Sequence, residues 1–175
     1  FDYVIVGAGA AGCVLAERLS ADPAKRVLLL EAGPPDRHPM IHMPRGIAKI
    51  LSNPAHVWPF TAARGAGDNR PPEYWLRGKV LGGSSSTNGM MYVRPQPADF
   101  DELAAAAGEH WSWAAMAPIF KAIEDHPLGA ADTRGAGGPL RLSLPPRHPL
   151  MDGVIAAGAA LGMQGVEDVN QPGDR

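Results

Sequence analysis

Three glycines, Gly7, Gly9 and Gly12, stand directly after the apolar run Tyr3-Val4-Ile5-Val6. This is the spacing a dinucleotide site needs. Gly7 permits a tight turn, Gly9 lets a pyrophosphate come close to the backbone, and Gly12 lets the following helix pack on the strand. The N–H groups of the helix's first turn have no partner inside the helix, and they can meet the phosphates. Glu31 lies about 20 residues beyond Gly12, at the end of a second apolar run. A carboxylate there accepts hydrogen bonds from an adenosine ribose and repels a 2′-phosphate. These residues point to FAD or NAD and away from NADP.

A second stretch, Arg77 to Arg94, reads RGKVLGGSSSTNGMMYVR. Its small residues and backbone donors could form a surface linker or a loop lying against a ligand. The flanking Val80-Leu81 and Met90-Met91-Tyr92-Val93 are unusual for a linker. The six histidines supply no metal set. His38 and His42 are four apart, but Pro39 lies between them and no third ligand of the right type is near. His110 and His126 read as surface or loop residues. Cys13, just inside the first helix, gains some thiolate character from the helix end, with packing the simpler role.

These residues need elements to position them. Tyr3 to Val6 reads as a strand buried on both faces. A helix follows, with Val14, Leu15 and Leu19 on one face and Glu17-Arg18 on another, and Asp22-Pro23 ends it. Arg26 to Glu31 is a second buried-type strand, which completes a βαβ unit. From Gly33 to Trp75 prolines are frequent and no period lasts, so the sequence predicts a long loop with one short helix over Gly46–Leu51. Asp99 is expected to cap a helix to Ala107, with Glu102 completing a capping box. Ser112 caps another through Phe120 and Ile123, kinked or restarted at Pro118. Leu128 to Gly138 reads as a Gly-rich loop and Leu140 to Leu144 as a half-exposed strand. Pro149 opens a last helix that Gly162 ends.

The chain has 175 residues, 16 basic and 18 acidic, a net charge of −2 and 45% apolar content. That is enough for one ordinary domain. No basic stripe suggests nucleic acid, and no apolar run reaches the length of a membrane span. With 21 glycines and 18 prolines the chain is loop-rich, yet too apolar for disorder. The single Cys13 allows no internal disulfide and is consistent with a reducing, cytoplasmic setting. Two parallel strands do not make a stable sheet, so the chain reads as the N-terminal piece of a larger protein.

Taken together, these motifs resemble the glucose–methanol–choline (GMC) oxidoreductases. Gly78 to Met90 resembles that family's first signature, and Gly7-x-Gly9-x-x-Gly12 with Leu30-Glu31-Ala32-Gly33 resembles its FAD site. Tyr92-Val93-Arg94, Asp99-Phe100-Asp101, His110-Trp111-Ser112-Trp113 and Gly138-Pro139-Leu140-Arg141 fall in the order seen in choline-dehydrogenase-like members. The resemblance implies an α/β fold: a Rossmann-like FAD-binding domain over residues 1–98, then a mostly helical start of the substrate-binding region over 99–175. It implies that Gly7, Gly9, Ala10, Ala11, Gly12, Glu31, Ala32, Trp58, Val80, Gly82, Gly83, Ser84, Ser85, Asn88, Gly89, Met90 and Tyr92 hold FAD, with packing an alternative for Trp58. Some members bond the flavin through a histidine just before the Asn. Thr87 stands there, so FAD is expected to be non-covalent. The family's catalytic histidine lies near the C-terminus, and no residue here matches it. The implied reaction is oxidation of a small primary alcohol by hydride transfer to the flavin, with oxygen or a quinone as acceptor. An NAD-dependent dehydrogenase, a lyase and a non-catalytic FAD protein are the alternatives.

Overall fold

The computed structural model describes residues 1–65, 67–68 and 70–171. The chain forms two compact units, Phe1–Met91 and Tyr92–Arg175.

In the first unit, β1 (Tyr3–Val6) and β2 (Val27–Leu30) pair in parallel, with Tyr3 opposite Val27 and Val6 opposite Leu30. Helix α1 (Ala10–Ser20) makes the crossover. The N–H of Gly7 donates to the Leu30 carbonyl at 2.8 Å, so pairing continues to the edge of the Gly-rich turn. The strands are not buried on both faces as their composition predicts: Val6 is 83% exposed and Val4 57%. Among the described residues each strand pairs only with the other, and α1 is the helix that packs on them.

The stretch predicted as a long loop carries more order than its prolines suggest. It contains α2 (Pro39–His42), a 3₁₀ turn at Pro44–Gly46 and α3 (Ile47–Leu51), the last being the short helix expected over Gly46–Leu51. A hairpin follows, with β3 (Val57–Ala62) antiparallel to β4 (Glu73–Gly78). Pro59 sits inside β3, opposite Leu76. A two-stranded ribbon tolerates this because both of its strands are edges, where a missing N–H costs no ladder bond. In the loop that joins β3 to β4, the Arg70 guanidinium beside Asp68 holds the Asp68 carboxyl below its usual range. The buried apolar residues of this unit are Ala8, Ile50, Val57 and Val80.

The second unit contains α4 (Pro97–Ala107), α5 (Trp113–Ile123), the paired dipeptides β5 (Glu124–Asp125) and β6 (Leu140–Arg141), and α6 (Pro149–Ala160). Helix α4 starts before Asp99. Pro97 takes the first position, where its missing N–H costs nothing. Gln96 is therefore the cap, and its N–H donates to Asp99 Oδ2 at 2.6 Å. Ser112 caps α5 as expected: its Oγ accepts from the Ala115 N–H at 3.4 Å, and the helix runs on through Pro118. The strand predicted over Leu140–Leu144 shrinks to Leu140–Arg141, because β5 offers only two residues to pair with. Phe100, Trp113 and Phe120 form an aromatic core with ring centroids 5.5–6.3 Å apart.

Beside it lies a buried polar cluster. Arg94 Nη2 is 2.8 Å from Glu124 Oε2, and Arg94 Nη1 donates to the Thr133 carbonyl at 2.6 Å. The Gly135 N–H donates to the same Glu124 oxygen at 2.6 Å. No described helix is long and apolar enough to cross a membrane.

Candidate functional site

The two Gly-rich motifs, about 70 residues apart in sequence, meet in the first unit. The Gly82 N–H donates to the Ala8 carbonyl at 2.8 Å. A Cβ at Gly83 would stand 2.7 Å from Gly9 Cα, and Gly83 has φ +57°, so no larger residue fits there without moving the neighbouring turn. Gly12 presses just as closely on β1, where a Cβ would collide with the Gly7 carbonyl oxygen. At Gly9 a Cβ would meet nothing within 4 Å. Protein packing therefore does not explain the glycine at position 9, whereas a ligand lying against the backbone would.

That open space belongs to a cleft of about 420 Å³ lined by Ile5, Val6, Gly7, Gly9, Ala10, Ala11, Gly12, Leu15, Ser84 and Ser85. The start of α1 is open to an anion. Gly9 is the N-cap, no side chain caps the first turn, and no acidic residue stands in it. A second cleft, of about 240 Å³, is lined by Met40, Ile41, Ile47 and Ile50 on its apolar side. Ser85, Ser86, Thr87, Asn88 and Met90 line it as well. Ser85 contributes to both clefts. The pair suits an elongated ligand with a polyanionic part at the helix start and a flat, partly apolar part beyond it.

Glu31 braces the turn from below. Its Oε2 accepts from the Ala8 N–H at 2.8 Å and its Oε1 from the Gly33 N–H at 2.9 Å. An ionised carboxylate has about four acceptor sites, so two remain for a ribose diol. Ala32, the next residue, is exposed and lines neither cleft. Val80 is 0% exposed and presents no surface to either cleft. It supports the loop from underneath, and the Gly83 N–H closes onto its carbonyl at 2.7 Å.

Asn88 has a local task. Its Oδ1 accepts from the Met90 N–H at 2.9 Å and thereby holds Met90 at φ +59°, in the left-handed region that a methionine seldom enters. Among the described residues the Asn88 amide NH₂ takes no partner. Gly89 lies between them and is exposed.

Trp58 lines neither cleft. It lies on β3 with Lys79 Nζ 4.4 Å above its ring and Phe60 stacked at 6.2 Å. Tyr92 opens the second unit. There the Arg94 guanidinium lies 5.7 Å from its ring, and its carbonyl accepts from Asn170 Nδ2 at 3.1 Å.

Several of the histidines bond to the main chain. His38 Nδ1 accepts from the Met40 N–H at 3.2 Å and so caps α2, and His42 Nε2 donates to the Asp36 carbonyl at 2.5 Å. His126 is a loop residue but a buried one, with Nδ1 accepting from the Leu128 N–H at 3.1 Å. No three His, Cys, Asp or Glu side chains among the described residues converge as a metal set.

Sequence reasoning missed Ala8, whose N–H and carbonyl join Glu31 to the second motif. It foresaw the short helix that is α3, but not α2 and not that both helices wall the second cleft. Met40-Ile41 and Ile47-Ile50 carried a weak apolar signal, but the surrounding prolines masked it.

Comparison with known proteins agrees with this geometry. The family described as GMC oxidoreductase matches residues 1–174. The alcohol dehydrogenase [acceptor] of Pseudomonas putida is 46% identical over 160 residues, which are 90% of this chain and 29% of that protein. The mitochondrial choline dehydrogenase of Homo sapiens is 42% identical over 178 residues, covering 97% of this chain and 30% of the relative. The crystal structure of pyridoxine 4-oxidase from Mesorbium loti superposes with a TM-score of 0.85 at 42% identity, over 95% of this chain and 33% of that one. Formate oxidase gives a TM-score of 0.82 at 29% identity. The chain thus spans about 30% of the length of the curated relatives it matches. With both Gly-rich motifs meeting in one cradle and the family pattern running through 1–174, the chain belongs to the GMC oxidoreductases and has their FAD-binding fold.

Proposed function

We propose that the complete protein oxidises a primary alcohol to the aldehyde and that this chain supplies most of its FAD cradle. The observation carrying this reading is the meeting of the two Gly-rich motifs: Gly82 bonds to Ala8, and Gly83 backs onto Gly9. When bound, FAD supplies the acceptor for the hydride that leaves the alcohol carbon.

The chain's own residues bind and orient. The N–H groups of Ala10, Ala11 and Gly12, with Ser84 and Ser85, would hold the pyrophosphate. Glu31 and Ala32 would receive the adenosine end. Asn88, Gly89 and Met90 would meet the ring system, where the Asn88 NH₂ can donate a hydrogen bond. Trp58 and Tyr92 are assigned to the cofactor by resemblance alone. Thr87 is buried in the second cleft and has no nitrogen to alkylate, so it leaves FAD non-covalent.

The hydroxyl proton is assigned to a histidine outside these 175 residues, on the resemblance to the family alone. The names of the relatives point to alcohols, choline among them. Oxygen or a quinone is proposed as final acceptor. A cytoplasmic setting is proposed on the single cysteine, Cys13.

The test is anaerobic addition of simple primary alcohols, choline included, to the purified complete protein while the flavin spectrum is followed. Bleaching with aldehyde formed in equal amount supports the reading. A flavin that no alcohol on the panel reduces counts against it.

A further inference from the structure

Within the first unit, the third serine of Ser84-Ser85-Ser86 has a role of its own. Ser86 Oγ donates to the Leu81 carbonyl at 2.9 Å. The bond closes a loop over Gly82, Gly83, Ser84 and Ser85, the residues of this stretch that stand at the first motif and the first cleft. The hydroxyl lies so close to Gly82 that a Cβ there would stand 2.2 Å from Ser86 Oγ. Gly82 has φ +91°, and this left-handed backbone, with no side chain on it, lets the hydroxyl reach back to Leu81.

The Leu81 carbonyl and the Gly82 N–H are the two ends of one peptide unit. The unit is trans and planar, so its C=O and N–H point in opposite directions. Ser86 holds the carbonyl end. The N–H end donates to the Ala8 carbonyl at 2.8 Å, the bond that joins the two Gly-rich motifs. Hydrogen bonds linked in this way polarise one another, so the bond from Ser86 strengthens the bond to Ala8. Two further bonds tie the same turn down: the Leu81 N–H donates to the Pro34 carbonyl at 3.0 Å, and the Gly83 N–H to the Val80 carbonyl at 2.7 Å. A serine hydroxyl has one proton to donate. That of Ser86 goes to Leu81, so a ligand does not receive it. Ser84 and Ser85 line the first cleft, whereas Ser86 lines the second and not the first.

We propose that Ser86 is a positioning residue for the pyrophosphate side of the FAD cradle. It fixes the Leu81–Gly82 peptide, and with it the junction to Ala8 and the placement of Gly83, Ser84 and Ser85 beside Gly9. The inference rests on the proposed function, in which Ser84 and Ser85 hold the pyrophosphate. Ser86 touches neither the phosphates nor the flavin ring in this role; it acts through the peptide it holds.

The experiment titrates the complete apoprotein, as wild type, Ser86→Ala and Ser86→Thr, with FAD and separately with ADP, which carries a pyrophosphate and no flavin. Ser86→Ala removes the donor to Leu81. The expected result is a Kd for FAD raised about fivefold, the scale of one neutral hydrogen bond, with the Kd for ADP raised by the same factor. Ser86→Thr keeps a hydroxyl and should return both Kd values to within about twofold of wild type. Rescue by threonine separates the hydrogen bond from packing, since the added methyl does not restore the shape of serine.

Wild-type Kd values in Ser86→Ala overturn the proposal. A loss for FAD with none for ADP overturns it too, because Ser86 would then be a contact of the flavin ring at the second cleft. Ser86→Thr binding as weakly as Ser86→Ala also overturns it, since the hydroxyl would not be the group that matters. If Ser86→Ala does not fold, Ser86→Cys is read by the same criteria, its thiol being a weaker donor than the hydroxyl. A wild-type protein that takes up no FAD defeats the proposed function instead. A wild type that binds FAD, beside a Ser86→Ala that matches it, defeats only this inference.

Discussion

Replacing Gly9 and Gly12 by alanine, one at a time, separates binding from folding. A Cβ at Gly9 has nothing within 4 Å, and the residue's φ of −78° is one that alanine adopts. Gly9→Ala should therefore change the stability of the apoprotein by less than about 1 kcal/mol, the scale of a Gly-to-Ala difference at a helix cap. The added methyl occupies the space through which a phosphate reaches the first-turn N–H groups. Losing one charge-assisted hydrogen bond there costs about 1.5–3 kcal/mol, which is roughly 10- to 150-fold in Kd. Gly12→Ala behaves differently. Its Cβ would collide with the Gly7 oxygen and stand 3.3 Å from Ile5 Cγ2, so the helix has to move off the strand. That overpacking costs about 1–3 kcal/mol of stability. Titration of the complete apoprotein with FAD, together with thermal melts without FAD, reads both quantities. The expected pattern is a Gly9→Ala variant that melts like wild type and binds FAD at least tenfold more weakly, and a Gly12→Ala variant impaired in both. Wild-type FAD affinity in Gly9→Ala would refute the placement of the phosphates. A Gly9→Ala melt as low as that of Gly12→Ala would refute the claim that the space is open to a ligand.

Further outcomes follow from the same structure. Glu31→Gln can accept only one of the two main-chain N–H bonds and presents an NH₂ to the other. It should lose about 1–2 kcal/mol of stability as well as FAD affinity, and an unchanged melt and Kd would contradict the brace. Acid precipitation should leave all flavin in the supernatant, because Thr87 cannot form the histidyl link; flavin in the pellet would contradict this. Arg94→Met leaves Glu124, 0% exposed, without its cation. Removing one partner of a buried pair costs about 3–5 kcal/mol, a fall on the order of 10 °C in melting temperature, and an unchanged melt would refute the pair's importance. Asp68, lowered by Arg70, adds stability above the ordinary aspartate pKa and loses it as pH falls through the depressed value. An NMR titration of Asp68 with a midpoint at or above the ordinary value would contradict that pairing.

The first βαβ unit was legible because each of its residues carries a local signal: β-branched residues for the strands, glycines for the turn, and an acid at the right distance. The second motif was legible as a composition, but its meeting with the first depends on the bond from Gly82 to Ala8 across the fold, which no local pattern encodes. The hairpin was hidden because Pro59 reads as a strand breaker until both strands are known to be edges. The start of α4 was misplaced because Asp99 suits both the cap and the third position, and Pro97 decides between them. The exposure of β1 lay outside any reading of periodicity, since it depends on which elements flank the strand.

In the proposed reading, the two Gly-rich motifs form one FAD cradle. A visible absorption spectrum of the purified complete protein, with the released cofactor quantified per chain, tests it most directly. A shared cradle should give a flavin spectrum with one FAD per chain. A colourless protein that takes up no added FAD, and binds NAD in its place, would contradict it.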